Sequence, residues 1–331
     1  MREELALRGL EEAILAQASA ARPADAPEQI TFALRLEEVW GSCAVAGSAI
    51  TLSQTRALLQ RGVVAGDRAF RDYLMVWGYG RASAWTQGQR PRAAGALITI
   101  GEVRQLHARA TEGLALVESS ATPGAWRTHN ARPVRSGVIP VPPSLIASEV
   151  AGLVDRFGYG APASTPKFLW LAMFQERLER IRPFSSGNGR VARLTLNLLL
   201  SRMGLPFATI PPRSIRNYRA ALSQADAGNH YPLALYTARS VQRNLERFTV
   251  PPDLLPLSAL AGPISLDALQ KAAQRGRLRH AYLGSRLYST TAWRDEYIAN
   301  SRPGTISSRL ASRHPEQSAA GASSRDSRQA R

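Results

Sequence analysis

The chain has a single cysteine, Cys43, among its 331 residues. One thiol cannot form an intramolecular disulfide or a cysteine-rich metal site. Long apolar runs are also missing, and the short ones have charged residues nearby, so no segment is predicted to span a membrane. The N-terminus carries acidic residues and lacks the apolar stretch of a secretory signal. These absences predict a cytoplasmic protein without a membrane partner.

Lysine is almost absent as well. Lys167 and Lys271 are the only two, so 40 of the 42 basic residues are arginine. With 25 acidic residues the formal net charge is +17. This excess favours polyanionic partners, namely nucleotides, nucleic acids or acidic protein surfaces. Charge alone does not choose among them.

The length predicts two domains with tails, and the apolar fraction of 44% is enough for a sizeable core. Four prolines between residues 250 and 263 predict a linker. Residues 301–331 are rich in serine, arginine, alanine and glycine, which predicts disorder. The predicted organisation is a leader helix at 1–30, a mainly helical domain at 31–249, the linker at 250–263, a basic module at 264–300 and a tail at 301–331.

Helical periodicity dominates the large domain. Between Pro123 and Pro143 this period fails, which predicts extended chain or a hairpin with turns at Arg132-Pro133 and Ser136-Gly137. The predicted helices cover residues 52–59, 72–86, 99–116, 144–157, 165–181 and 189–203.

The most informative segment is RPFSSGNGRVAR, residues 182–193, which links two apolar helices. Gly187 and Gly189 allow the backbone to approach a ligand closely. The second helix begins here, and the free N–H groups and positive dipole end of a helix bind anions. Arg190 and Arg193, three residues apart, can reach the same side, and Asn188 can offer its amide to a phosphate oxygen. The simpler alternative is a helix corner with arginines in solvent.

The full pattern resembles the signature of the Fic family, H-P-F-x-[DE]-G-N-G-R-x-x-R. From Pro183 onward every specified position matches except the acidic one. The segments RDYLMVWGYGRASAW, GEVRQLHARA, GAWRTHNARPV, VIPVPPSL and YRAALSQADAGNHYPLALY are also similar to segments of the family. The resemblance covers about residues 31–248. It implies a mainly α fold class, a Fic-type helical bundle with a β-hairpin flap.

The resemblance also implies an activity, transfer of AMP from ATP to a protein hydroxyl with Mg²⁺. In that chemistry the signature histidine takes the proton, the acidic residue holds the metal, and the remaining polar positions cradle the phosphates. Carried onto this chain, the resemblance implies a nucleotide- or phosphate-binding set of Arg182, Phe184, Ser186, Gly187, Asn188, Gly189, Arg190 and Arg193.

The chain departs from the family at both chemical positions. Arg182 replaces the histidine and cannot act as a base, because an arginine side chain stays protonated in proteins. Ser186 replaces the acidic residue and is a weak metal ligand, so Mg²⁺ is doubtful and we assign no catalytic residue and no metal site. Loss of a general base alone typically costs roughly 10²–10⁴ in rate.

A third departure concerns the inhibitory motif S-x-x-x-E-G that many family members carry. Ser42 and Gly47 match it, but Ala46 stands where the glutamate would be. Together the three changes predict a catalytically degenerate Fic protein that acts by binding a nucleotide or phosphate. The alternative is an active nucleotidyltransferase, for protein AMP transfer or a related reaction, with altered catalytic residues. The protein target and oligomeric state stay open.

Residues 264–300 predict a helix, two short strands about Gly284-Ser285 and a last helix, which resembles half of an excisionase-like winged-helix module. Such a module implies DNA binding. The alternative is a small module that packs on the Fic core or binds another protein. The predicted basic face is formed by Lys271, Arg275, Arg277, Arg279 and Arg286.

Overall fold

The chain divides into two compact units, Met1–Val250 and Pro251–Arg331. Within the described residues, no helix is both long and apolar enough to cross a bilayer. The computed structural model describes residues 2–21, 23, 28–89, 95–118, 122–132, 138–248, 253–283 and 286–301.

Helices are the regular elements of the first unit, and its described residues contain no strand, which confirms the predicted mainly α fold class. Its helices are α1 (Arg2–Ala21), α2 (Glu28–Val45), α3 (Leu52–Arg61), α4 (Phe70–Gln87), α5 (Ile100–Thr111), α6 (Ile146–Phe157), α7 (Lys167–Ile181), α8 (Asn188–Arg202), α9 (Ile215–Asp226) and α10 (Tyr231–Leu245).

Local sequence sets several helix ends. The side-chain oxygens of Thr51 and Thr99 each accept a hydrogen bond from the backbone N–H three residues further along. The side chain at that position, Gln54 or Glu102, accepts a hydrogen bond from the backbone N–H of the threonine. These reciprocal bonds satisfy two otherwise free donors, so α3 and α5 begin where the sequence predicts. Gly62 ends α3 in the left-handed region, at φ 67°.

Helix α8 lies at the centre of the first unit. All but two of its 15 residues are buried, and α4, α5 and α7 pack against it. A helix that is buried all round cannot rotate or slide without losing contacts. Its N-terminal end, which follows the glycine-rich turn, is therefore held in one place.

Helix α1 is part of this same core, which corrects the prediction of a separate leader at residues 1–30. Leu7 and Ile14 are fully buried, and α1 packs along α10. Glu11 accepts a hydrogen bond from the N–H of Phe168 and lies 3.6 Å from Lys167 Nζ. The apolar face that suggested a leader is covered by the bundle.

The predicted flap hairpin lies only partly within the described residues. Residues 122–132 and 138–142 form no strand. Residues 133–137, which include the predicted turn residues Pro133, Ser136 and Gly137, lie outside the described part of the chain. A paired hairpin therefore stays a prediction for this segment.

The second unit has its own core, which contains Leu257, Leu260, Leu269 and Leu278. Its elements are β1 (Leu255–Pro256), α11 (Leu257–Leu260), α12 (Leu266–Gln274), β2 (Ala281–Leu283), β3 (Arg286–Ser289) and α13 (Thr291–Ser301). The strands form a three-stranded antiparallel sheet of order β1-β3-β2, with Leu255 opposite Ser289.

The predicted linker at residues 250–263 is wrong over residues 255–260. Those residues form β1 and α11, and Leu257 and Leu260 are buried. The prolines do not exclude regular structure here, because Pro256 lies in an edge strand and directly before a helical turn. Proline is tolerated at both positions. Of residues 301–331, predicted to be a disordered tail, the structure describes Ser301 alone, which ends α13.

Candidate functional site

The glycine-rich turn opens into a cleft of about 680 Å³ on the first unit. The end of α2, helix α4, the end of α7 and helix α9 complete its walls. Arg71 and Arg219, which sequence reasoning missed, also line it. The sequence-predicted residues that line this cleft are Ala46, Arg182, Ser186, Gly187, Asn188, Gly189, Arg190 and Arg193.

The backbone of the turn is held in an unusual shape. Arg182, which caps the C-terminal end of α7, has φ 49°, the only positive φ of a non-glycine residue in the described part of the chain. Gly187, at φ 75°, precedes α8. The side chain of Asn188 spans the turn: its Oδ1 accepts from Phe184 N at 2.9 Å, and its Nδ2 donates to Phe184 O at 2.8 Å. Asn188 therefore closes the loop, whereas the sequence predicted a direct phosphate contact.

His107 on α5 packs against the turn and binds its backbone, a role that the sequence did not predict. Its ring stacks on Phe184 with centroids 3.7 Å apart and planes within 4°. Gly124 N–H donates to Nδ1 at 2.9 Å, so Nε2 carries the proton and donates to Ser186 O at 3.3 Å. Burial lowers the pKa of His107 to about 4. Phe184, predicted in the binding set, is fully buried in this stack and does not line the cleft.

Arg190 is a buried cation of the site with an unpartnered donor. It is only 5% exposed, and its Nη1 has no hydrogen-bond partner among the described residues. Burial lowers the pKa of this guanidinium because charge is costly away from water. An unsatisfied buried donor next to a helix N-terminus is a strong place for an anion to bind.

Arg193 is tied to the remnant of the inhibitory motif. Its Nε donates to Ser42 Oγ at 2.6 Å and its Nη2 donates to Ser42 O at 3.0 Å. A methyl group on Gly189 would lie 3.2 Å from Arg193 Nη1 and 3.5 Å from Glu179 Oε2. Two of the three guanidinium nitrogens of Arg193, Nε and Nη2, thus bind Ser42.

The donor set of the cleft does not suit Mg²⁺. This ion prefers carboxylate and water oxygens, whereas the lining is dominated by arginine. Glu179 is the one carboxylate among the lining residues, and Gln175 and Tyr218 donate hydrogen bonds to its Oε1 at 3.4 and 3.5 Å. Ser186 offers a hydroxyl where a second carboxylate would be needed.

The predicted basic residues of the second unit are all exposed. They differ in what they contact. Lys271 pairs with Asp267 at 2.7 Å, and the guanidinium of Arg279 lies 4.8 Å from the ring centre of Trp293. Arg275, Arg277 and Arg286 have no ion pair within the described residues. The predicted turn Gly284-Ser285 lies outside the described residues.

Comparisons with known proteins agree with this architecture. A family model described as Fic/DOC family matches residues 97–200. Protein adenylyltransferase fic-1 of Caenorhabditis briggsae is 26% identical over 210 residues, which are 63% of this chain and 40% of that protein. Protein adenylyltransferase Fic of Nematostella vectensis is 24% identical over 221 residues, 67% of this chain and 50% of that protein. The chain therefore spans about half or less of the length of these curated relatives.

Solved structures show the same fold. Residues 134–508 of Fic-1 from Caenorhabditis elegans superpose with a TM-score of 0.62 at 23% identity, covering 73% of this chain and 70% of that one. A Fic domain containing signaling protein from Bacteroides thetaiotaomicron gives 0.59 at 20% identity, covering 72% and 96%. With the matched segment, the relatives and the helical architecture in agreement, the chain carries a domain of the Fic/DOC family at residues 97–200.

Proposed function

We propose that the Fic domain binds a nucleotide or another phosphate-bearing ligand in the cleft at residues 182–193, without transferring AMP by the usual Fic route. The observation that carries this is the buried Arg190 guanidinium, whose Nη1 is unsatisfied beside the N-terminus of α8. Arg182 also lines the cleft. Hydrogen bonds to charged groups contribute about 1.5–3 kcal/mol each, so phosphate oxygens can be held there without a metal.

The proposed lack of AMP transfer rests on side-chain chemistry. Arg182 stays protonated and cannot take a proton from a hydroxyl. His107 is neutral, but both of its ring nitrogens are hydrogen-bonded to backbone, and it stacks behind Phe184. It is therefore not available as a substitute base. The relatives are named protein adenylyltransferases, so adenine nucleotides are the first ligands to test.

Calorimetric titration of the full chain with ATP, AMP and pyrophosphate, with and without Mg²⁺, tests the binding proposal. We expect binding in EDTA that Mg²⁺ does not strengthen. Arg190→Gln should weaken it at least about tenfold, since a lost charged hydrogen bond costs more than 1.4 kcal/mol. Arg177→Gln is the matched control, because Arg177 lies on α7 outside the cleft and pairs with Glu149.

The alternative is an active nucleotidyltransferase with altered residues, and labelled ATP with cell extract separates the two. Label that is incorporated by wild type and lost in Arg190→Gln would favour the enzyme. Binding without incorporation supports a regulatory or binding protein. No binding of any of the three ligands would refute the proposed site.

We propose a second function for the second unit, contact with DNA. The observation that favours it is the exposed trio Arg275, Arg277 and Arg286, which follows α12 and begins β3. A basic helix end beside a β-hairpin suits phosphate contacts. Lys271 and Arg279 contribute less, because their charges already face Asp267 and the Trp293 ring.

Binding to duplex DNA at about 50 mM salt tests this function. Changing the trio to glutamine should reduce the slope of log affinity against log salt by up to about three, roughly 0.9 for each phosphate contact. A triple glutamine variant at Arg213, Arg216 and Arg239, exposed arginines of the first unit, is the charge-matched control. Equal losses in both variants, or no DNA binding at all, would refute the assignment.

A further inference from the structure

Arg127 lies beneath the turn and outside the lining of the cleft. Its side chain is almost completely buried, at 2% residue exposure. The guanidinium donates from Nε to Arg182 O at 2.7 Å and from Nη2 to Ile181 O at 3.4 Å. The backbone N–H of Arg127 donates to Pro183 O at 2.9 Å. One residue thus binds three consecutive carbonyls, 181 to 183, where α7 ends and the turn begins.

The other end of the same guanidinium reaches the segments on either side of residues 133–137. Nη1 donates to His129 O at 2.7 Å, and Nη2 donates to Val141 O. All of these partners are neutral carbonyls, and Arg127 has no ion pair in the described part of the chain. The negative end of the α7 dipole is the compensating charge that the fold supplies.

These bonds explain how Arg182 is held at φ 49°. A residue with a Cβ disfavours the left-handed region, and the last carbonyls of a helix need donors from outside the helix. Arg127 supplies those donors at the position where the chain reverses. The direction in which the Arg182 side chain and the first amides of α8 face the cleft follows from that reversal.

We propose that Arg127 is a positioning residue of the anion site: it fixes the backbone of residues 181–183 and thereby orients Arg182 and the N-terminus of α8 toward a bound phosphate. This inference rests on the proposed function of the cleft. It assigns to Arg127 an effect on ligand affinity that is separate from its contribution to folding.

The test is calorimetric titration of the full chain with pyrophosphate, in wild type, Arg127→Lys and Arg127→Ala. Lysine keeps the charge but cannot place donors on two carbonyls at once in the planar fork that arginine provides. We expect Arg127→Lys to bind pyrophosphate at least tenfold more weakly than wild type at a temperature where circular dichroism shows it folded. Ethylguanidinium added to Arg127→Ala should restore part of the lost affinity.

Arg104→Lys is the matched control. Arg104, on α5, donates to Gly124 O at 2.7 Å and lies 5.5 Å from the ring centre of Trp126. Both partners belong to the segment that carries Arg127, and within the described residues Arg104 has no hydrogen bond to residues 181–183. Its affinity should stay within about twofold of wild type. Folded Arg127→Lys with wild-type affinity, or equal losses in Arg127→Lys and Arg104→Lys, would overturn the inference. If wild type itself fails to bind, the proposed function is wrong and the inference falls with it.

Discussion

Replacing His107 with phenylalanine should remove a pH-dependent part of the folding stability. In the folded protein burial lowers the pKa of His107 to about 4, from an ordinary value of 6.5. The unfolded chain therefore takes up a proton near pH 6.5, and the folded chain does so only near pH 4. The contribution of the neutral His107 to the free energy of unfolding is fully present above pH 6.5, and it is lost as the pH falls toward 4. The gap between the two pKa values corresponds to about 3 kcal/mol.

The phenylalanine ring keeps the stack on Phe184 but does not titrate. It leaves Gly124 N–H and Ser186 O without their partner, which costs about 1–3 kcal/mol for each buried group. At pH 7.5 we expect the variant to be about 2–5 kcal/mol less stable than wild type. At pH 4.5 wild type carries the proton penalty of His107 and the variant does not, so the difference should shrink by about 2–3 kcal/mol.

Urea unfolding followed by tryptophan fluorescence measures this difference, since five of the six tryptophans precede residue 251. Comparing variant with wild type at each pH cancels the titration of groups common to both. His129→Ala, at an exposed histidine of the neighbouring segment, is the control. A stability difference for His107→Phe that stays constant within about 0.5 kcal/mol from pH 7.5 to 4.5 would refute the assignment of a buried neutral imidazole.

Four further variants have expected outcomes. Burial raises the pKa of Glu38 to about 7. The contribution of Glu38 to folding stability is therefore present below pH 4.5 and lost as the pH rises through 7. The stability of Glu38→Gln relative to wild type, measured by urea unfolding, should rise by about 2–3 kcal/mol between pH 5 and 8. Gly41→Ala should destabilise by about 1–3 kcal/mol because its methyl group would lie 2.1 Å from a backbone oxygen. Gly9→Ala, with open space around it, should stabilise α1 by about 0.5–1 kcal/mol in the same assay. The double variant Arg182→His, Ser186→Asp should produce AMP transfer that mass spectrometry detects. Either change alone should do little, because the base and the metal ligand act as a unit. A folded double variant that binds ATP but gains no AMP would contradict the interpretation as a degenerate enzyme.

The sequence alone determined the features that depend on neighbours within a few residues. Thr51 and Thr99 cap their helices through bonds to the next turn, and the helical period placed α7 and α8 with the glycine-rich turn between them. The identity of Arg182 and Ser186 within that turn was enough to predict the missing base and metal ligand. The helix starts and the position of the turn need no knowledge of what packs against the segment, which is why the structure agrees with them. The missing base and metal ligand stay a prediction.

Tertiary structure determined which residues from distant parts of the sequence contact the turn. His107 and Arg127 stand 79 and 55 positions before their partners in the turn, and Ser42 stands 151 before Arg193. Contacts at such separations depend on how whole helices pack, and no local period encodes them. The same reason explains why α1 looked like a leader and β1 with α11 like a linker: their apolar side chains acquire a core only when distant parts of the chain meet.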